Sequence, residues 1–308
     1  MKHLLGIADL SVNEITKILD LAVKMKRQFT TNGEKKSDRL TGRAVVNLFY
    51  EASTRTRLSF ELAGNYLGAD VANIAASGSS VSKGESLIDT ARTIDVMRPD
   101  VIVIRHQNSG AAKLVSENVN ASVINAGDGM NEHPTQALLD MFTMIEAKGK
   151  LDGLNVAIVG DIAHSRVARS NIYGLTKMGA NVSLAAPITL MPQGIEKLAQ
   201  APGTCKVYTN VDEAIAGADV VMCLRIQQER LKSALFPSLG EYAARFGIND
   251  ERLKLAKADC ILMHPGPANR GVELTSSVAD GAKSLIDEQV TNGVAVRMAV
   301  LELLACGE

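Results

Sequence analysis

The densest chemistry in the chain sits at Ser53-Thr54-Arg55-Thr56-Arg57, followed by Leu58-Ser59-Phe60-Glu61. Three hydroxyls and two guanidinium groups lie between an apolar run and a helical pattern. That places them at a helix N-terminus, where backbone N–H groups lack partners and the dipole is positive. Hydroxyl donors and arginine forks added there make a phosphate site. A plain serine N-cap would explain Ser53, but not the alternation of Thr and Arg. Farther along, Arg105 closes the branched run Val101-Ile102-Val103-Ile104, and alone it would read as a charged strand end. His133 and Gln136 are three apart at a helix start, so their side chains share a face. Arg166 follows Gly160-Asp161-Ile162-Ala163-His164-Ser165, and Arg225 and Gln227 stand two apart after another apolar run. Arginine suits bidentate carboxylate recognition. Lys83 lies in a Ser/Gly-rich loop, where lysines are usually solvated. His264-Pro265-Gly266-Pro267 ends a third run, where prolines fix the backbone path and remove N–H donors.

These groups need elements to hold them. Val45 to Tyr50 reads as a buried strand entering the Ser/Thr/Arg cluster. Leu58, Leu62 and Tyr66 then fall at helical spacing, with Gly68 as a stop. Ser11 and Glu14 form a capping box for a helix that carries Ile15, Ile18, Leu19, Ala22 and Met25 on one face. Val71–Ala75, Val101–Ile104 and Val123–Asn125 are further strands, and Leu87–Met97 is a helix. Pro134 opens a helix with Leu138, Phe142 and Ile145 on one face, ended by Gly149. A second alternation follows: a strand at Val156–Asp161, a helix at Val167–Met178, and strands at Val182–Ala185, Val220–Leu224 and Ile261–Met263. Val296, Ala299, Val300, Leu303 and Leu304 mark a C-terminal helix. Alternating strands and helices argue parallel sheets flanked by helices. The candidate residues cluster after strands, where open α/β sheets bind ligands.

Composition narrows the function classes. A length of 308 residues suggests about two domains, and 46% hydrophobic residues can build sizeable cores. A net charge of −1 gives no global field for nucleic acid or an acidic membrane, and 4% aromatics without Trp argue against base stacking. No run reaches transmembrane length, and Leu4-Leu5 is too brief for a signal peptide. Cys205, Cys223, Cys260 and Cys306 are scattered without a Cys-x-x-Cys, as reduced thiols in a cytoplasmic protein would be, and metal-ligand pairs are absent.

Ser-Thr-Arg-Thr-Arg-x-Ser-Phe-Glu at 53–61 resembles the carbamoyl-phosphate signature of the aspartate and ornithine carbamoyltransferases. Four further segments are similar to the aspartate branch, in chain order: Ser82-Lys83-Gly84-Glu85-Ser86, Asn131-Glu132-His133-Pro134-Thr135-Gln136, Leu224-Arg225-Ile226-Gln227-Gln228-Glu229-Arg230 and His264-Pro265-Gly266-Pro267. The resemblance runs essentially end to end. It implies an α/β fold of two domains, each a parallel sheet flanked by helices, joined by bridging helices. Residues 1–132 would form the carbamoyl-phosphate-binding domain, completed by the C-terminal helix 292–308. Residues 133–149 would bridge to an aspartate-binding domain at 150–291.

The resemblance also implies roles. Ser53, Thr54, Arg55 and Thr56 would bind the phosphate of carbamoyl phosphate, and Arg105 both its phosphate and its carbonyl. His133 would donate to the carbonyl oxygen, Gln136 would bind the amino group, and backbone carbonyls at Gly266 and Pro267 would accept from it. Arg166 would hold one carboxylate of aspartate, and Arg225 with Gln227 the other. Lys83 would reach the active site of a neighbouring subunit and bind aspartate there, with Ser79 or Ser80 contacting phosphate. Arg55, Lys83, Arg105 and His133 would be the catalytic groups. The implied reaction is carbamoyl transfer to the α-amine of L-aspartate in pyrimidine biosynthesis, without metal, cofactor or covalent enzyme intermediate. The implied particle is a cytoplasmic homotrimer with shared active sites, alone or with a regulatory chain or a dihydroorotase. Gln107 stands where the family often has Pro, Ser82 where some members have a second Lys, and Gly266 where some carry a larger residue.

Other readings fit less of the chain. An ornithine carbamoyltransferase shares the phosphate turn, but carries His-Cys-Leu-Pro at the last loop and lacks the Arg-x-Gln pair. A nicotinamide-dependent dehydrogenase would need Gly-x-Gly-x-x-Gly after the Gly160 strand, and the positions there carry larger side chains. A non-catalytic binding protein of the same fold has no reason to keep all the named groups.

Overall fold

The computed structural model describes residues 1–31, 33, 35–75, 85–226 and 238–307. It divides into two compact units, residues 1–139 with 291–308, and residues 140–290. The first contains α1 (Val12–Thr30), β1 (Ala44–Phe49), α2 (Thr54–Tyr66), β2 (Asp70–Ala75), α3 (Leu87–Asp95), β3 (Val101–His106), α4 (Ala111–Ser116) and β4 (Ser122–Asp128). The division falls within α5 (Pro134–Lys148). The second unit holds β5 (Asn155–Val159), α6 (Arg166–Lys177), β6 (Asn181–Ala185), β7 (Thr204–Tyr208), α7 (Val211–Ile215), β8 (Val220–Cys223), α8 (Leu239–Phe246), α9 (Asp250–Leu253), β9 (Ile261–Met263) and α10 (Ser276–Ala279). The chain closes with α11 (Ile286–Cys306), in which the division falls again.

Among the described residues each unit has one parallel sheet. The first has the order β2-β1-β3-β4 and the second β7-β6-β5-β8-β9. Val45, Leu48, Val101 to Ile104, Val156 to Val159 and Val220 to Cys223 are buried, as strands covered on both faces by helices must be. In the first unit Leu48, Ile102, Ile104 and Val123 pack with Ala91 and Ile94 of α3 and Ala112 and Val115 of α4. Each strand order reverses direction once, between β1 and β3 and between β5 and β8. Those are the points where an open α/β sheet leaves a crevice at its strand ends.

The structure departs from the sequence expectations in four places. The buried face of α2 is Thr56, Ser59, Phe60, Ala63 and Gly64, whereas Leu58 is 50% exposed. Small residues let α2 lie close to the sheet: a Cβ on Gly64 would stand 2.6 Å from Val71 Cγ2. Leu58 is therefore left on the outer side. The helix α3 stops at Asp95 rather than Met97, and Arg98 turns the chain at φ 61°. The helix α11 starts at Ile286, with Asp287 and Glu288 favourably placed in its first turn. It is also long and apolar enough to cross a membrane, where no such run was expected, but most of that surface is buried. Val296, Val300, Leu303 and Leu304 belong to the core of the first unit, and Arg297 lies over the Phe60 ring at 5.2 Å. The capping box of α1 is present, with Ser11 Oγ accepting from the Glu14 N–H at 3.2 Å.

Candidate active site

The crevice of the first unit gathers the phosphate-binding candidates. The Tyr50 N–H donates to the Arg105 carbonyl at 2.9 Å, so the ends of β1 and β3 stay paired where the cluster begins. Ser53 is the N-cap of α2, in extended backbone, and its side chain makes no capping bond. Its carbonyl accepts the first helical N–H, from Arg57, at 3.1 Å. Thr54 and Arg55 are exposed, while Thr56 is buried at 8%. The N-terminal turn therefore presents hydroxyls, a guanidinium and the positive end of the dipole together.

Arg105 reaches the same crevice from the end of β3. Its Nη2 lies 2.6 Å from Glu51 Oε1, and its Nη1 donates to the Ala126 carbonyl at 3.3 Å. The next residue, His106, does structural work: its Nδ1 accepts the Asn108 N–H at 2.9 Å and its ring lies 4.9 Å from that of Tyr50. Burial lowers its pKa and favours the neutral ring.

His133 and Gln136 open α5, beyond the neighbouring strand β4, and both are buried, at 4% and 8%. The His133 carbonyl accepts the Gln136 N–H at 3.0 Å. Two acidic residues fix that start. Asp128 at the end of β4 accepts from Gly110 N–H at 2.6 Å, Asn125 Nδ2 at 2.8 Å, Asn131 Nδ2 at 3.1 Å and Glu132 N–H at 3.2 Å. Glu132 accepts the Ile7 N–H at 2.7 Å, tying the N-terminal segment to the residue before His133. Glu51, Asp128 and Glu132 escaped the sequence reading. An acid directly before His133 and the helix start was the one local hint for Glu132; its partner is 125 positions away.

The second unit repeats the arrangement with different chemistry. Gly160, after β5, has φ 140°, and a Cβ there would stand 2.7 Å from the Leu224 carbonyl oxygen. Glycine thus lets the β5 end approach the segment that carries Arg225. Asp161 is fully buried and accepts from the His164 N–H at 3.0 Å, with His164 Nδ1 at 2.9 Å. Ser165 then caps α6, accepting the Ala168 N–H at 3.1 Å. That turn presents Arg166, 5% exposed, as the first residue of the helix. Arg225 follows β8 and is half-buried. The crevice between β5 and β8 therefore has an arginine on each side. His264 follows β9, beside β8. Its N–H donates to Gln289 Oε1 at 2.9 Å, and Gln289 Nε2 donates to Asp140 Oδ1 at 2.8 Å. Asn171 of α6 donates to the other oxygen of Asp140 at 2.8 Å, so one buried chain of bonds ties α6, α11 and the Gly266–Pro267 turn.

The structure thus brings Ser53, Thr54, Arg55, Thr56 and Arg105 to one crevice, with His133 and Gln136 after the next strand. Arg166 and Arg225 flank the other crevice, with Gly266 and Pro267 after the next strand. Lys83, Ser79, Ser80 and Gln227, like Ser82, Glu229 and Arg230, lie outside the described residues. Among the described residues no group of three or more His, Cys, Asp or Glu side chains is placed to hold a metal ion.

Comparison with known proteins gives the family. Residues 2–146 match the carbamoyl-phosphate binding domain of the aspartate/ornithine carbamoyltransferases, and residues 152–304 their Asp/Orn binding domain. The aspartate carbamoyltransferase catalytic subunit of Ruminiclostridium cellulolyticum is 63% identical over 303 residues, covering 98% of this chain and 95% of that protein. That of Acetivibrio thermocellus is 63% identical, with the same coverage. Aspartate transcarbamoylase from Trypanosoma cruzi, solved with carbamoyl phosphate and aspartate, superposes with a TM-score of 0.89 at 34% identity over 98% of this chain and 96% of that one. Ornithine carbamoyltransferase from Pyrococcus furiosus also reaches 0.89, at 31% identity over 100% and 98%. The fold is common to both acceptor classes, so the fold alone does not choose between aspartate and ornithine.

Proposed function

The chain belongs to the aspartate/ornithine carbamoyltransferase family, and from that membership and the geometry of the two crevices we infer how its residues divide the work. It is an aspartate carbamoyltransferase: it transfers the carbamoyl group of carbamoyl phosphate to the α-amine of L-aspartate, giving N-carbamoyl-L-aspartate and phosphate, a step of de novo pyrimidine biosynthesis.

Ser53, Thr54, Arg55 and Thr56 hold the phosphate at the N-terminus of α2. Arg105 bridges phosphate and carbonyl. His133 donates to the carbonyl oxygen and Gln136 binds the amino group, with Gly266 and Pro267 offering carbonyls to it. Arg166 and Arg225, with Gln227, hold the two carboxylates of aspartate. The amine nitrogen bonds to the carbonyl carbon, the carbon–oxygen bond to phosphate breaks, and phosphate leaves with the electron pair and takes up the proton that the amine gives up. Negative charge that grows on the carbonyl oxygen meets Arg105 and His133. Donors placed in this way are worth roughly 10²–10³ in rate apiece. Holding both reactants in position supplies the rest, with no covalent enzyme intermediate. Lys83 completes the site of a neighbouring subunit, so the working particle is an oligomer, and the family resemblance makes it a homotrimer. A cytoplasmic location suits four cysteines that remain thiols.

The observation that carries the acceptor assignment is the pair of arginines at the β5/β8 crevice. A dicarboxylate needs two cations, whereas the side chain of ornithine is itself a cation. Arg166→Ala and Arg225→Ala should each raise the aspartate KM by roughly one to two decades while carbamoyl phosphate binds as before. Unchanged aspartate KM in both variants would overturn the assignment.

A further inference from the structure

Glu273 stands between β9 and α10, only 2% exposed, and the reaction as described does not use it. Its carboxylate takes hydrogen bonds from two separate segments. Oε1 accepts from the Ile226 N–H at 2.8 Å and from Asn269 Nδ2 at 2.7 Å. Oε2 accepts the Asn269 N–H at 2.5 Å and lies 3.8 Å from His264 Nε2. His264 Nδ1 already accepts the Gly266 N–H at 2.7 Å, so in the neutral ring Nε2 carries the hydrogen and faces Glu273. One side chain therefore joins the residue after Arg225 to both flanks of the Gly266–Pro267 turn.

A buried carboxylate is a costly way to fill a core. Burial pushes the Glu273 pKa up, and the N–H donors of Ile226 and Asn269 and the charge of Arg225 pull against it. An apolar side chain would fill the same volume without that conflict, but it could not hold two loops by their backbone donors.

We propose that Glu273 is a positioning residue for the aspartate site, fixing the backbone at Arg225 against the Gly266–Pro267 turn so that both reach the substrate in register. The inference rests on the reading that Arg225 holds an aspartate carboxylate.

Glu273→Gln tests it. Glutamine keeps the size, but sets an NH2 against N–H donors where an oxygen stood. The aspartate KM should rise roughly tenfold, the cost of about one charge-assisted bond. The dissociation constant of inorganic phosphate calls on groups away from the β5/β8 crevice, α2 and Arg105 foremost, and should stay within about twofold. Backbone hydrogen exchange should speed up in peptides covering 224–226 and 266–270 and keep its protection in β5. An unchanged aspartate KM, or phosphate affinity lost in parallel, would overturn the proposal. Arg225→Ala separates the two levels. If it raises the aspartate KM and Glu273→Gln does not, positioning alone fails. If Arg225→Ala also leaves KM unchanged, the aspartate assignment has failed and the proposal falls with it, whatever the exchange data show. Should Glu273→Gln not fold, Asn269→Ala removes the side-chain donor and leaves the two backbone donors; it should raise KM in the same direction by a smaller factor, and no change overturns the proposal.

Discussion

Arg105→Ala should separate ligand binding from stability, because Arg105 serves both. Its side chain is 11% exposed and that of Glu51, 2.6 Å away, is 21% exposed. Exposed ion pairs contribute at most about 1 kcal/mol, whereas removing one partner of a fully buried pair costs about 3–5 kcal/mol. This pair lies between those limits, so the variant should lose about 1–2 kcal/mol of stability. In a chain of 308 residues that lowers Tm by roughly 1.5–3 °C. Binding should suffer more. A hydrogen bond to a charged partner is worth about 1.5–3 kcal/mol, and bridging phosphate and carbonyl puts Arg105 at the upper end, near two decades of Kd. Titration calorimetry with carbamoyl phosphate, without aspartate, reads the affinity, and thermal unfolding reads the stability. Glu51→Gln breaks the same ion pair without removing the arginine. It should reproduce most of the Tm loss and keep most of the affinity. A folded Arg105→Ala protein that binds carbamoyl phosphate within about threefold of the parent would refute the role given to Arg105.

Three further outcomes follow from the same structure. Inactive Lys83→Ala and inactive His133→Ala chains, mixed under conditions of confirmed subunit exchange, should regain activity, because some interfaces then join a sound Lys83 to a sound His133; no recovery would rule out a shared site. A thiol reagent at pH 8 should modify the exposed Cys306 quickly and leave Cys205 and Cys223 untouched in the folded protein, since burial pushes the first up to about 12 and raises the second as well; rapid modification of either would contradict this. Gly64→Ala should cost about 1–3 kcal/mol by denaturant titration, because its Cβ would stand 2.6 Å from Val71 Cγ2; a neutral result would show that α2 can shift from the sheet.

The legible parts of the sequence are those whose signal is local. Val101–Ile104 and Val156–Val159 are apolar runs, Val45–Phe49 is one broken only by Asn47, and each lies in a central strand. The cluster at 53–57 announces itself because hydroxyls and guanidinium groups follow such a run directly. Short elements carry too few residues to show a period. The six-residue α4 and the four-residue α9 and α10 went unread for that reason. The edge strand β7 is largely exposed and has a lysine at its centre, so it does not look like a strand. The helical spacing of Leu58, Leu62 and Tyr66 gives α2 but not its buried face, because close packing selects Gly64 and Ala63 and leaves Leu58 outside. The acids that hold the crevices, Glu51, Asp128, Glu132 and Glu273, were the least legible. An acid in a loop is ordinary, and only the folded chain brings Glu132 to Ile7 or Glu273 to Ile226.

The most direct test of the central claim is a competition for one carbamoyl donor. Purified chain is given isotopically labelled carbamoyl phosphate with equal concentrations of aspartate and ornithine, and the products are separated and counted. Two arginines at the β5/β8 crevice predict that the label appears in N-carbamoyl-L-aspartate, with citrulline at the level of an enzyme-free control. Label accumulating in citrulline while carbamoyl aspartate stays at background would contradict the account.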